Sequence, residues 1–286
     1  MKKFLALALA AACQTVAAQT PAVNRMPDGS RDLYIGLGAV SAPRYEGAHE
    51  RRVAALPVLQ LELSNGIFIS GMSAGMHLSG SPSLEYGPLL ALQPRRNQSG
   101  NASGIGGVSS VSPPGIIAQP PMVVSRSAPP AGLDGMDTIG ARLQAGGFLN
   151  FYLTPHLRLT NSLLYGSGNA KKGATWNIGV QRIAAEPALR HAVFVTAGLT
   201  LANREHNQAF FGVSAAEAQR SGYRLYQASG GLKDVYLGAR WNWALAPSWI
   251  VTSSLQASRL LGSAEESPLV QRPANLTVST ALAYRF

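Results

Sequence analysis

In the last twelve residues hydrophobic and polar positions alternate. Leu276, Val278, Thr280, Leu282, Tyr284 and Phe286 fall on one face, and Asn275, Thr277, Ser279, Ala281, Ala283 and Arg285 on the other. Strand side chains alternate with period two, so this pattern predicts a two-faced strand. It recurs upstream. Val235, Leu237, Ala239, Trp241, Trp243 and Leu245 alternate with Asp234, Tyr236, Gly238, Arg240, Asn242 and Ala244. Trp176, Ile178 and Val180 oppose Asn177, Gly179 and Gln181; Leu157, Leu159, Leu163 and Tyr165 oppose Arg158, Thr160 and Ser162; Leu59, Leu61 and Leu63 oppose Gln60, Glu62 and Ser64. Eleven segments result: 31–42, 52–64, 67–78, 84–94, 138–153, 157–165, 175–186, 191–203, 232–246, 249–262 and 275–286.

Most of these segments run about 10–14 residues, where soluble strands average nearer 5–6. A strand tilted across a bilayer needs about 9–11. Tight breaks at Pro155-His156, Glu186-Pro187 and Pro247-Ser248 alternate with polar stretches at 166–174, 204–231 and 263–274. Short turns at one end, long loops at the other and aromatics near strand ends predict an all-β, antiparallel transmembrane β-barrel with long outer loops. Single-chain bacterial barrels have even strand numbers. Twelve strands are therefore preferred, with ten as the alternative, and the miscount is placed before residue 140, where the alternation is weaker.

Composition narrows the class. Charged residues are 13% of the chain, well under the roughly 25% of globular proteins. Lys+Arg is 24 against Asp+Glu 14, and 30 of the 286 residues are glycine. A mean hydropathy of +0.06 argues against a bundle of membrane helices. A hydrophobic content of 46% argues against disorder. Residues 1–18 have the basic Lys2-Lys3 start, a short apolar run and a small-residue cleavage site at Val16-Ala17-Ala18, which read as a signal peptide for export. The barrel is expected over 19–286, with 22 basic against 14 acidic residues, a net +8. Cys13 is the only cysteine; it leaves with the leader unless Ala10-Ala11-Ala12-Cys13 serves as a lipobox. No stretch after residue 18 is long and apolar enough for a spanning helix. Residues 95–137 form a low-complexity Pro/Gly/Ser segment, expected to be a mobile loop holding no core residue.

Motifs of chemistry are weak. Gly71-Met72-Ser73-Ala74-Gly75 matches G-x-S-x-G, but that elbow needs a following helix, and the match reads as a small-residue strand. His49, His77, His156, His191 and His206 lack metal-ligand spacing. Gly104-Ile105-Gly106-Gly107 precedes Pro113-Pro114 rather than a helix, so it is no phosphate loop. Arg95-Arg96 and Lys171-Lys172 are scattered loop charge; they form no coherent nucleic-acid face, although they could meet lipopolysaccharide phosphates. No catalytic, cofactor-binding or metal residues are expected, and no cofactor. Arg158, Arg182, Arg240 and Arg285 are the candidate lumen residues, with Asp234 and Glu62 as counter-ions.

Several stretches resemble the MipA/OmpV family of MltA-interacting outer-membrane proteins. They include Gly36-Leu37-Gly38-Ala39, Pro43-Arg44-Tyr45-Glu46-Gly47-Ala48, Leu56-Pro57, Asn65-Gly66-Ile67-Phe68 and Gly87-Pro88. More specific are Phe210-Phe211-Gly212-Val213-Ser214 with Ala218 and Ser221-Gly222-Tyr223, and then Gly231-Leu232-Lys233-Asp234. Leu260-Leu261-Gly262-Ser263-Ala264, Ser267-Pro268-Leu269-Val270 and the Tyr284-Arg285-Phe286 terminus complete the set. Two stretches depart from the family pattern: Gly168-Asn169-Ala170-Lys171-Lys172-Gly173 and Pro94-Arg95-Arg96. The resemblance implies a non-enzymatic barrel in the outer membrane of a Gram-negative cell. It further implies a scaffold joining a lytic transglycosylase and a penicillin-binding protein in peptidoglycan growth. A small-solute channel or adhesin is the alternative, and an outer-membrane hydrolase, formed if a distant Ser and His meet, is the third reading.

Overall fold

The computed structural model describes residues 31–78, 81, 83–102, 104–108, 132–188 and 190–286. The leader, Cys13 and the middle of the 95–137 segment lie outside the described residues.

The strands are β1 (Arg31–Pro43), β2 (Arg51–Leu63), β3 (Ile67–Ser70), β4 (Ser73–Met76) and β5 (Leu84–Gln93), then a small separate hairpin, β6 (Arg96–Asn97) and β7 (Gly100–Asn101). They continue with β8 (Arg142–Thr154), β9 (Leu157–Ser167), β10 (Gly173–Ala188), β11 (His191–Ala202), β12 (Gly231–Ala246), β13 (Trp249–Leu260) and β14 (Ala274–Arg285). All except β6 and β7 join in chain order as a closed antiparallel barrel of twelve strands, β14 pairing with β1 from Tyr34↔Arg285 to Ser41↔Val278.

The expected strand 67–78 is two strands, which supplies the twelfth. It turns at Gly71-Met72, and the reason is local. Gly71 has φ +58, and a Cβ there would lie 2.3 Å from the carbonyl oxygen of Ile105. Only glycine permits both the turn and the approach. The G-x-S-x-G match thus straddles a β-hairpin turn, with Ser73 buried and donating to the Ser70 carbonyl at 2.9 Å.

The shortness of β3 and β4 leaves a notch in the wall. β2 pairs with β1 along its whole length, but with β3 only at Gln60↔Ser70, Leu61↔Ile69 and Glu62↔Phe68. Residues 104–108 enter the notch. Gly106 donates to the Pro57 carbonyl at 2.8 Å, and Leu59 donates to the Gly106 carbonyl at 2.9 Å. The backbone groups of Pro57 face this same edge, so its missing N–H interrupts no β1–β2 hydrogen bond.

Alternation places the faces as expected on most strands. Leu37, Val53, Leu143, Leu163, Leu237, Leu255 and Leu282 point outward and are exposed. Outward aromatics mark both ends: Tyr86, Phe151, Trp249 and Phe286 near the short turns, Tyr165 and Trp176 near the long loops. The Phe286 ring sits 4.9 Å from that of Tyr284. Apolar side chains meet inside the barrel in two clusters. Phe68, Leu89, Ala91, Phe148 and Leu164 pack on one side of it. Val40, Ala42, Leu56, Val58, Ala281 and Ala283 pack on the other, joined by Val108.

One lumen assignment is corrected. Arg182 is exposed and shares its strand face with Trp176 and Val180, opposite the buried Asn177. It pairs in register with Leu157, the first residue of β9, so it lies at the short-turn rim. There an outward arginine costs roughly 0–1 kcal/mol, against about 2–4 at a bilayer midplane.

The polar stretches at the long-loop end contain helices: α1 (Arg204–Phe211), α2 (Ala215–Ser221) and α3 (Gly262–Glu265). Asn203 caps α1 by accepting from the His206 amide, and Ser214 with Glu217 forms a capping box on α2.

Candidate functional site

The long-loop end is covered by a cap with its own core. Tyr45 and Ala48 from the β1–β2 connection pack with Leu133 and Met136, Val213 and Leu269. Phe211, Ala228, Leu260 and Ala264 form a second cluster beside them. The Tyr45 hydroxyl donates to the Leu269 carbonyl at 3.1 Å. Burial pushes its phenol up to about 12, so it stays protonated. Glu217 is pushed up by partial burial, but hydrogen bonds from the Asp137 and Ser214 amides outweigh this and hold it below the usual carboxylate range.

The described ends of the 95–137 segment are built into this end of the barrel. Arg96 is buried and donates to the Ala209 carbonyl at 3.1 Å and to that of Phe210, both in the last turn of α1. A cation there complements the helix C-terminus. Burial lowers Arg96 to about 10, which still leaves it charged at neutral pH. Val108 reaches into the lumen, its amide donating to Gln60 Oε1 at 2.8 Å and its carbonyl accepting from Asn242 Nδ2 at 3.4 Å. These residues are core and wall, where the sequence predicted mobile loop.

Below the cap lies a cavity of about 200 Å³, whose lining includes Tyr45, Gln93, His206, Lys233 and Tyr236. A β-bulge shapes it. Thr200 pairs with Asp234 but Leu201 with Leu232, so Lys233 is the extra residue. Lys233 and Asp234 are therefore both buried, although strict alternation would turn one of them outward. Lys233 Nζ contacts Glu46 Oε1 and Oε2 at 3.0 and 3.1 Å and Asp234 Oδ2 at 3.0 Å. The network runs on: Thr200 Oγ1 donates to Asp234 Oδ1 at 2.8 Å, Asn177 to Thr200 at 3.2 Å, and Tyr236 OH to Asn177 Oδ1 at 2.7 Å. Each donor has an acceptor, so the array ties the β1–β2 connection to the wall.

A second polar array lies near the short-turn end. Glu85 meets His77 Nδ1 at 2.9 Å, Asn150 Nδ2 at 2.9 Å, the Tyr152 hydroxyl at 3.1 Å and Arg158 Nη1 at 3.4 Å. Arg158, Arg240, Arg285, Asp234 and Glu62 all occupy inward positions, as the alternation predicted. Several contacts join them to other groups than the expected counter-ions. Arg158 pairs with Glu85, and Arg285 with Asp32 at 2.9 Å from Nε. Asp234 pairs with Lys233, and Glu62 accepts from Gln60 at 2.8 Å. Lys233, Glu46, Glu85 and His77 were not among the charged residues expected in these networks. The one available signal was the pair of adjacent charges in Gly231-Leu232-Lys233-Asp234, which breaks the period of two.

A Ser–His contact does form: Ser167 Oγ lies 2.8 Å from His206 Nδ1, both residues buried. Burial, then the charges of Lys233 and Arg96, hold His206 well below its usual value and therefore neutral. Ser167 is 2% exposed and packs against Gly173, and its hydroxyl does not line the cavity. A nucleophile must reach a substrate carbonyl, and this hydroxyl is shut in. His191 stacks on Trp241 and Trp243, and His156 sits in a turn. Among the described residues no cluster of His, Cys, Asp and Glu could hold a metal ion.

The family model described as MltA-interacting protein MipA matches residues 35–286. No curated protein matches the chain. Among solved structures it is similar to the NanC porin, at 8% identity over 90% of this chain and 100% of that one, with TM-score 0.36. It is also similar to a bacterial polysaccharide outer membrane secretin, at 10% identity over 91% and 100%, with TM-score 0.45. An outer membrane channel from Pseudomonas putida F1 has 9% identity over 94% and 100%, with TM-score 0.41. Likenesses this loose carry no argument about function.

Proposed function

The chain belongs to the MipA family, and from that premise we propose that it is a non-enzymatic outer-membrane barrel that docks peptidoglycan enzymes at its short-turn, periplasmic end. The observation that carries the reading is a closed barrel that is apolar outside, holds two apolar clusters inside and is capped at its long-loop end. The outward rows of Leu, Val and aromatic side chains suit hydrocarbon, and closure satisfies the backbone there. The cap core, the two apolar clusters in the lumen and the Val108 strap oppose a wide aqueous bore, which favours docking over conduction. The family's name records an interaction with MltA, and this supports a lytic transglycosylase as partner. A penicillin-binding protein is the second expected partner.

The test has three parts. The protein fractionates with outer membranes and migrates in a heat-modifiable way; recovery in the soluble periplasmic fraction would overturn the membrane reading. The immobilised folded barrel captures a lytic transglycosylase or a penicillin-binding protein in detergent. Steady planar-bilayer current without such capture would replace docking with a small-solute channel.

A further inference from the structure

On the outer wall at the long-loop rim, β12, β13, β14 and the β1–β2 connection frame a groove of about 770 Å³. That is within the usual ligand-site range of roughly 300–1,000 Å³. Its floor follows from register. Ala257 pairs with Leu237 on one side and with Leu276 on the other, so a small residue lies between two large outward ones. The result is an apolar trough along β13. One position nearer the loops the chemistry changes: Arg259 points outward as the next residue on the Ala257 face.

Arg51 and Arg272 join Arg259 on the lining, which contains no carboxylate. Arg51 crosses β1, donating to the Leu276 carbonyl at 2.6 Å and to the Ser41 carbonyl at 3.0 Å, both neutral acceptors. Glu265 meets Arg259 at 3.0 Å from outside the lining. One carboxylate against three guanidinium groups leaves the rim positive. Arg51 opens β2 and Arg259 is next to last in β13, so these charges sit where the strands leave the apolar belt.

A positive rim directly above an apolar trough is complementary to an amphiphile with an anionic head. Guanidinium groups match phosphate oxygens through paired N–H donors. We propose that the groove binds a phosphorylated glycolipid of the outer leaflet, its phosphate on the arginine rim and an acyl chain over Ala257. The proposal rests on the membrane placement above, but not on any enzyme partner.

The folded barrel in dodecyl-maltoside micelles is titrated with diphosphoryl lipid A, with dephosphorylated lipid A and with inorganic phosphate. Diphosphoryl lipid A binds saturably, and the dephosphorylated lipid binds at least about tenfold more weakly. Arg259→Gln with Arg272→Gln weakens diphosphoryl lipid A by about the same factor. Ala257→Trp fills the trough and blocks the chain; should it fail the heat-modifiability check, Ala257→Met serves in its place. Arg51 is left intact because it also ties β1 to β14. Equal affinity for the dephosphorylated lipid would overturn the proposal, as would full competition by millimolar phosphate, which would mark a free-anion site. Unchanged binding by the arginine pair or by the filled trough would also overturn it. These measurements use no murein enzyme and no cell fraction, so their failure is distinct from failure of the docking or membrane reading.

Discussion

Lys233→Met tests whether the bulge network holds the cap to the wall. The substitution keeps much of the side-chain volume and removes the ammonium that joins Glu46 to Asp234. The Asp234 side chain is 10% exposed and keeps only the Thr200 hydroxyl. Removing one partner of a buried pair costs about 3–5 kcal/mol, mostly through the charge left behind. The Glu46 side chain is 40% exposed and is resolvated, so its share is at most about 1 kcal/mol. A loss near 3 kcal/mol is therefore expected, dominated by Asp234. Asp234→Asn leaves Lys233 with Glu46 and costs less. The double variant removes both the ammonium and the buried Asp234 carboxylate it would strand, so it recovers part of the loss, with a coupling of about 2 kcal/mol. Urea unfolding of the vesicle-inserted barrel, followed by tryptophan fluorescence, measures the cycle, with heat-modifiable migration as the folding check. Because Glu46 neighbours Tyr45 of the cap core, Lys233→Met should also raise single-channel current. A loss under about 0.5 kcal/mol for Lys233→Met, or strict additivity in the double variant, would refute the network argument.

Deleting Gln98–Ala131 lowers the unfolding midpoint beyond the slow length dependence of loop closure. It removes Gly106 from the β2 edge and Val108 from an apolar cluster, and an unchanged midpoint would show both contacts to be dispensable. Leu282→Arg and Ala281→Arg both reduce the heat-modifiable yield, while Leu282→Phe does not. Leu282→Arg puts charge on the outward face, at about 2–4 kcal/mol if at the midplane. Ala281 is 3% exposed against Gly38, so normal folding of Ala281→Arg would refute the packed lumen. His206 is buried neutral with its folded value lowered, so the unfolded chain takes up a proton first on acidification. Stability therefore falls below about pH 6.5, by up to about 1.4 kcal/mol per pH unit, and His206→Gln flattens that slope in urea titrations from pH 7 to 5. An unaltered slope would assign the acid sensitivity elsewhere.

The alternation of side chains is a property of the extended backbone itself, so it can be read one residue at a time. Period two alone assigned the inward places of Arg158, Arg240 and Arg285 and the outward place of Leu282; it counted eleven segments, and only the rule that such barrels are even-stranded raised the count to twelve. The same rule, applied consistently, would have put Arg182 outward with Trp176, Ile178 and Val180. The rest depended on contacts between distant parts of the chain. Strand 67–78 breaks at Gly71 because Ile105 needs the space of a missing Cβ. Lys233 turns inward because a bulge slips the β11–β12 register and because Glu46, 187 residues away, offers it a carboxylate. The polar loops become a cap because Tyr45, Leu133, Val213 and Leu269, spread over more than two hundred residues, have one another to bury against. The phosphate-lipid groove likewise exists only once register sets Ala257 between Leu237 and Leu276 and folding brings Arg51 beside them. A local pattern determines which face a residue takes; which partner waits there is settled only when the barrel closes.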